Sequence, residues 1–143
     1  MTGLASELHR VVVTAEPRLL ACSGAWAGVG GREVVGELVD RACHLHPLLV
    51  RALATPPDAP LAAPDFDPVR WREAQRYGEA DWEALVRLWG GYARHLARLL
   101  ALLPDGAGER PCQKCPDLSV SLRVVAEAEL THLYAAFVRL PPR

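Results

Sequence analysis

The stretch Asp81–Leu103, DWEALVRLWGGYARHLARLLALL, restricts the fold of this chain more than any other. Its large apolar residues fall at Trp82, Leu85, Trp89, Tyr92, Leu96, Leu99 and Leu103, in alternating steps of three and four. That spacing keeps one stripe of an α-helix facing the same way, whereas a strand needs period two. Asp81 suits the N-cap, where its carboxylate accepts an orphan backbone N–H. Glu83 favours the positive end of the helix dipole. Pro104-Asp105-Gly106 ends the helix. Gly90-Gly91 weakens it by about 1 kcal/mol per glycine against alanine, and small residues there let a neighbouring helix approach. Seven large side chains, each worth roughly 1.5–3 kcal/mol when buried, outweigh that loss. The stretch reads as a core helix that needs helical partners.

The 143 residues suit one domain, residues 1–143. Half of them are hydrophobic but only 6% are aromatic, because Ala, Leu and Val dominate. That composition suits helices packed on helices. With 16 basic and 17 acidic residues and no basic stripe interleaved with aromatics, nucleic-acid binding has no support. No apolar run reaches the length of a membrane span. The N-terminus lacks a signal-peptide pattern, so the expected location is cytoplasmic and the four cysteines are expected as thiols or ligands.

Leu4, Leu8, Val11, Val12, Ala15, Leu19 and Leu20 predict a first helix over Thr2–Ala21, which Pro17 kinks or shortens. Ser23–Gly31 is a Gly-rich turn without the Gly-Lys-Ser/Thr ending of a phosphate loop, seated by Trp26. The second helix covers Arg32–Leu53. Its core stripe is Val35, Leu38, Ala42, Leu45 and Leu49. Glu33, Glu37, Asp40 and His44 share a row nearly opposite that stripe. The row reads as a solvated face, with Glu37–Arg41 as an i,i+4 pair. Pro47 should bend this helix. Thr55–Gly78 is a proline-rich crossover, with Asp67-Pro68 capping a short helix through Arg76 and Phe66, Trp71 and Tyr77 pinning it to the helices. Asp105–Pro116 reads as a surface loop. Asp117–Leu140 is the last helix, on which Glu129 and His132 sit three apart.

Two blocks together resemble the DinB-like family of metalloenzymes. Glu33–Arg51, EVVGELVDRACHLHPLLVR, is similar to the family's E-(I/V)-x-G-H-L-(I/V)-D segment. Residues 65–104, DFDPVRW…AQRY…DWEALVRLWGGYARHLARLLALLP, resemble a subgroup pattern with an acidic-aromatic-Asp turn, a Trp, an Ala-Gln-Arg-Tyr and a helix reading L-W-x-x-Y-x-R-H-L. The tail AELTHLYAAFVRL resembles the family's final helix, written with H-L-x-x-H. The resemblance implies an all-α four-helix bundle with the proline-rich crossover between helices two and three. It also implies a divalent metal held by three histidines, one on the second helix and two at i and i+4 on the last. A metal-dependent, thiol transferase-like activity on a small molecule or low-molecular-weight thiol follows from it.

The sequence departs from that pattern at two of the three positions. Glu37 stands where the second-helix histidine is expected, and Ala136 replaces the final one, leaving His132. Losing imidazoles weakens binding of zinc, nickel or copper. A rescued site would use Glu37 and His132, with Asp40, His44 and Glu129 as further ligands, since Glu-x-x-His spacing serves carboxylate-bridged bundles. Such ligands favour manganese or iron over zinc or nickel.

Cys112-Gln113-Lys114-Cys115 is a lone CxxC. It lacks the second ligand pair of a structural zinc and the strand-to-helix setting of a redox motif. It reads as a flexible loop with two exposed thiols, able to form a local disulfide or to share zinc between two protomers. Cys22 and Cys43 read as small apolar residues, and His95 as structural. Three classes of function stand: a divergent metal-dependent enzyme, a metal-free module binding a small molecule, and a homodimeric interaction module.

Overall fold

The computed structural model describes residues 1–22, 26–27, 30–63, 65–115 and 118–140, with the backbone alone for Lys114 and Cys115. Most of these residues are helical: α1 Thr2–Ala21, α2 Gly31–Ala54, α3 Pro68–Gln75, α4 Trp82–Leu102 and α5 Leu122–Arg139. Single 3-10 turns lie at Tyr77–Glu79 and Ala107–Glu109. The mostly helical structure agrees broadly with the all-α expectation, with one addition: three short strands form a sheet in the order β1-β2-β3: β1 Leu61–Ala62, β2 Pro111–Cys115 and β3 Leu118–Ser121. β2 pairs parallel to β1, with Leu61 opposite Cys112, and antiparallel to β3. The second half of the expected surface loop is therefore the central strand of a sheet. Cys112 is fully buried in it rather than exposed, and the Cys115 thiol lies outside the described side chains.

The sheet also moves the start of the last helix. Its expected first residue, Asp117, lies outside the described residues, and Leu118–Ser121 extend as β3. The Leu122 N–H donates to the Arg110 carbonyl at 2.9 Å, so this backbone group is satisfied across the sheet rather than along a helix. Ser121 then caps α5, its hydroxyl accepting from the Val124 N–H at 3.3 Å. Arg110 is itself buried. Its guanidinium donates to the Ala52 carbonyl at 2.8 Å, to the Thr55 hydroxyl at 2.8 Å and to the Ala59 carbonyl at 2.7 Å. It thereby ties the C-terminal end of α2 to the start of the crossover.

The caps read from sequence are present. Asp81 accepts from the Ala84 N–H at 2.9 Å, and Asp67 accepts from the Val69 and Arg70 N–H groups, each at 3.1 Å. Pro17 and Pro47 both lie inside helices that continue past them. α4 is the hub: α1 packs on it and so does α2, while α2 also packs on α5. Trp82, Leu85, Trp89, Leu96 and Leu99 of the predicted stripe are buried, with Tyr92 and Leu103 packed at its edge. The Trp82 indole N–H donates to the Leu19 carbonyl at 3.0 Å. The Trp89 and Phe137 rings meet edge to face at 5.7 Å, linking α4 to α5 through the interior. α1 and α5 touch much less, so the seam between them is the open one.

The two adjacent glycines of α4 differ in role. A Cβ at Gly90 would stand 2.5 Å from Cδ of Glu16, whose buried carboxylate fills that space and accepts from Arg94. A Cβ at Gly91 would meet nothing within 4 Å. Gly90 thus makes room for an acidic side chain of α1 rather than for a neighbouring backbone.

Candidate functional site

The polar row of α2 is not a solvated face: Asp40 is 1% exposed and His44 9%. The crossover lies over it, so α2 is covered on two opposite sides. The Tyr77 ring rests directly on Gly36, where any Cβ would overlap it. Its hydroxyl donates to Oδ1 of Asp40 at 2.6 Å, and the Gln75 amide donates to the same oxygen at 2.5 Å. Burial pushes the Tyr77 phenol far above its ordinary value, and the hydrogen bond to Asp40 and its charge add to the rise. One turn on, the His44 ring stacks on Phe66 at 4.8 Å, and Phe66 meets Trp71 edge to face at 5.0 Å. Asp40 and His44, expected as additional metal ligands, face the crossover and hold it down.

Glu37 lies at the edge of this row, its side chain 14% exposed, among three arginines. Its carboxylate is 3.3 Å from the guanidinium of Arg41, 3.3 Å from that of Arg139 on α5 and 3.8 Å from that of Arg72 on α3. Burial pushes the Glu37 carboxyl up, but hydrogen bonding and charge from Arg139 and Arg41 together outweigh it. The carboxyl is held below the usual carboxylate range. Arg41 also reaches Glu129 of α5, Nη1 to Oε1, at 4.0 Å, and its Cζ sits 5.7 Å from the Phe66 ring centroid. Two of the expected oxygen ligands, Glu37 and Glu129, therefore do come together across the α2–α5 seam. The group between them is a guanidinium.

The other expected ligands do not complete a metal centre. His132 stands on the exposed side of α5, while Ala136 is fully buried. Among the described residues, no three His, Cys, Asp or Glu side chains are grouped so as to hold a metal ion. With Glu37 and Ala136 in place of two histidines, the residues present do not fit the three-histidine set that the resemblance implies, and among the described residues the carboxylates proposed to rescue it are not gathered with His132 into one group. The arginines responsible were legible only in part. Glu37–Arg41 was read as a pair, but nothing local marks Arg72 and Arg139 as its companions.

Two further features frame the site. A small pocket of 40 Å³ lies beside Arg41 and Glu129, walled by Trp89, Leu96, Ala126 and Leu133. It holds at most a few waters. A larger groove of 480 Å³ runs along the open seam between α1 and α5, within the size range of small-molecule sites. Elsewhere, on the α2–α4 seam, His46 and His95 stand with ring centroids 5.3 Å apart. There the Tyr92 phenol is raised above its ordinary value by its hydrogen bond to Cys43, then by the negative charge of that side chain's thiolate form and by burial.

No helix among the described residues is long and apolar enough to cross a membrane. Compared with protein-family models, curated proteins and solved structures, the chain matches none at a significant level.

Proposed function

We propose that this chain is a four-helix bundle of the DinB-like type that works without a bound metal, as a module binding a small molecule. The observation that carries the reading is the Arg41 guanidinium, 3.3 Å from Glu37 and 4.0 Å from Glu129. A fixed, always-protonated cation there supplies the positive charge that a divalent ion would otherwise supply between two carboxylates. A guanidinium has no vacant coordination position with which to activate a thiol or water, which speaks against a metal-dependent, thiol transferase-like chemistry at this seam. What remains of the family plan is the helical frame, the crossover clamped to Gly36 and Asp40, and a cleft.

The test is ligand-induced stabilisation with and without chelator. Binding of a compound to the folded state alone raises the melting temperature by mass action. The reading expects small-molecule stabilisation that survives exhaustive chelation. Stabilisation that appears only with added zinc, nickel, manganese or iron, and disappears in Glu37→Ala and His132→Ala, would overturn it.

A further inference from the structure

We propose that the α1–α5 groove binds an amphipathic acid, a small molecule with an apolar body and one carboxylate. This rests on the metal-free binding reading and names the site and the ligand class for it. The groove is the space left where α1 and α5 fail to pack. Its floor is apolar: Val11, Leu19, Trp26 and Leu140 are buried beneath it, and Phe137 forms part of its wall. Its polar atoms are on the rim. Arg10 and Arg18, two turns apart on α1, both line it.

The rim charges are of one sign. Arg10 is occupied, bonded to Glu7 at 2.7 Å and donating to the Tyr134 hydroxyl at 3.2 Å. Tyr134 in turn donates to Glu7, so the two groove-lining side chains Arg10 and Tyr134 share one acidic partner. Arg18 has no acidic partner among the described residues. The nearby acid of α1, Glu16, is directed away into α4, where it holds Arg94. An apolar slot of 480 Å³, with a guanidinium at its mouth that has no acidic partner among the described residues, complements a hydrocarbon or aryl body carrying a single anion. A neutral apolar ligand leaves that guanidinium unused, and a small anion without a body leaves the floor exposed.

The experiment is calorimetric titration of the full chain, after chelation, with three probes: decanoate, 1-decanol and acetate. Binding of decanoate, with roughly tenfold or greater loss for 1-decanol and no binding of acetate, is expected from loss of one charge-assisted contact. Arg18→Glu should remove decanoate binding while keeping the circular-dichroism spectrum. Val138→Asp, at a rim position 86% exposed, should weaken it, and Arg98→Glu on the exposed side of α4 should not. Equal affinity for decanoate and 1-decanol, or an unchanged Arg18→Glu variant, would overturn the proposal. So would a concentration-dependent dimer that binds no decanoate, which would assign the groove to a second copy. Metal content measured on the same samples separates the two readings. No metal and no decanoate binding defeats only the ligand class, whereas a stoichiometric metal defeats the metal-free reading beneath it.

Discussion

Two adjacent glycines in the central helix should respond to alanine with opposite signs. At Gly91 an added Cβ meets nothing within 4 Å. The substitution then gains helix propensity alone, about 1 kcal/mol of added stability. At Gly90 the same methyl group enters space held by the Glu16 carboxylate, whose Cδ is 2.5 Å away. Glu16 must withdraw, and among the described residues its 9% exposed side chain is paired with Arg94. Losing a charge-assisted hydrogen bond from a buried acid costs about 1.5–3 kcal/mol. The lower part of that range applies, because Arg94 is 45% exposed and solvent screens the pair. Subtracting the propensity gain leaves a net destabilisation of about 0.5–1 kcal/mol. Urea denaturation of both variants measures this, with unchanged m-values confirming a change in stability alone. A double-mutant cycle isolates the cause. In a Glu16→Ala background the carboxylate is gone, and Gly90→Ala should turn neutral or stabilising. Equal effects at Gly90 and Gly91, or a Gly90→Ala cost that persists without Glu16, would refute the reasoning.

Three further outcomes follow from the crossover and the arginine cluster. Gly36→Ala should lower stability by about 2 kcal/mol or more, since it drives Tyr77 off α2, and limited proteolysis within residues 55–78 should speed up. Tyr77 has a raised phenol pKa, so its stabilising contribution is complete below pH 10, the ordinary tyrosine value, and is lost as pH rises above it; Tyr77→Phe should flatten this alkaline limb in pH-dependent melts. Arg41→Ala should cost about 1.5 kcal/mol, the lower end for losing a charge-assisted hydrogen bond, because Glu37 keeps Arg139 and Arg72 but loses one of its three guanidinium partners, and lowering the pH into the carboxylate range should shrink the difference between variant and parent.

Much of the helical frame was legible because its signals are local. The three-four stripe of α4, the Asp81 and Asp67 caps and the aromatic pins of the crossover each depend on residues a few positions apart. The sheet was not legible. β1 is two residues long, and its partner strand lies far along the chain, so no local pattern marks Cys112 as a buried strand residue. The polar row of α2 was misread for a different reason. A helical wheel assigns one buried face, whereas α2 is covered by α4 and α5 on one side and by the crossover on the other. That second cover turned Asp40 and His44 from solvent toward Tyr77 and Phe66. The candidate site was half legible: Glu37 and Glu129 do converge, but the cation between them belongs to the chain. Arg139 lies on another helix from Glu37, at a distance no sequence spacing reports.

The claim that a guanidinium has taken the metal's place is tested most directly by elemental analysis. The protein should be purified without tag or chelator, beside a Cys112→Ser/Cys115→Ser variant, and both offered zinc, nickel, manganese and iron. The account predicts no stoichiometric metal in the variant, so that any metal in the parent belongs to the cysteines. One metal per chain in both forms, lost in Glu37→Ala and in His132→Ala, would contradict it.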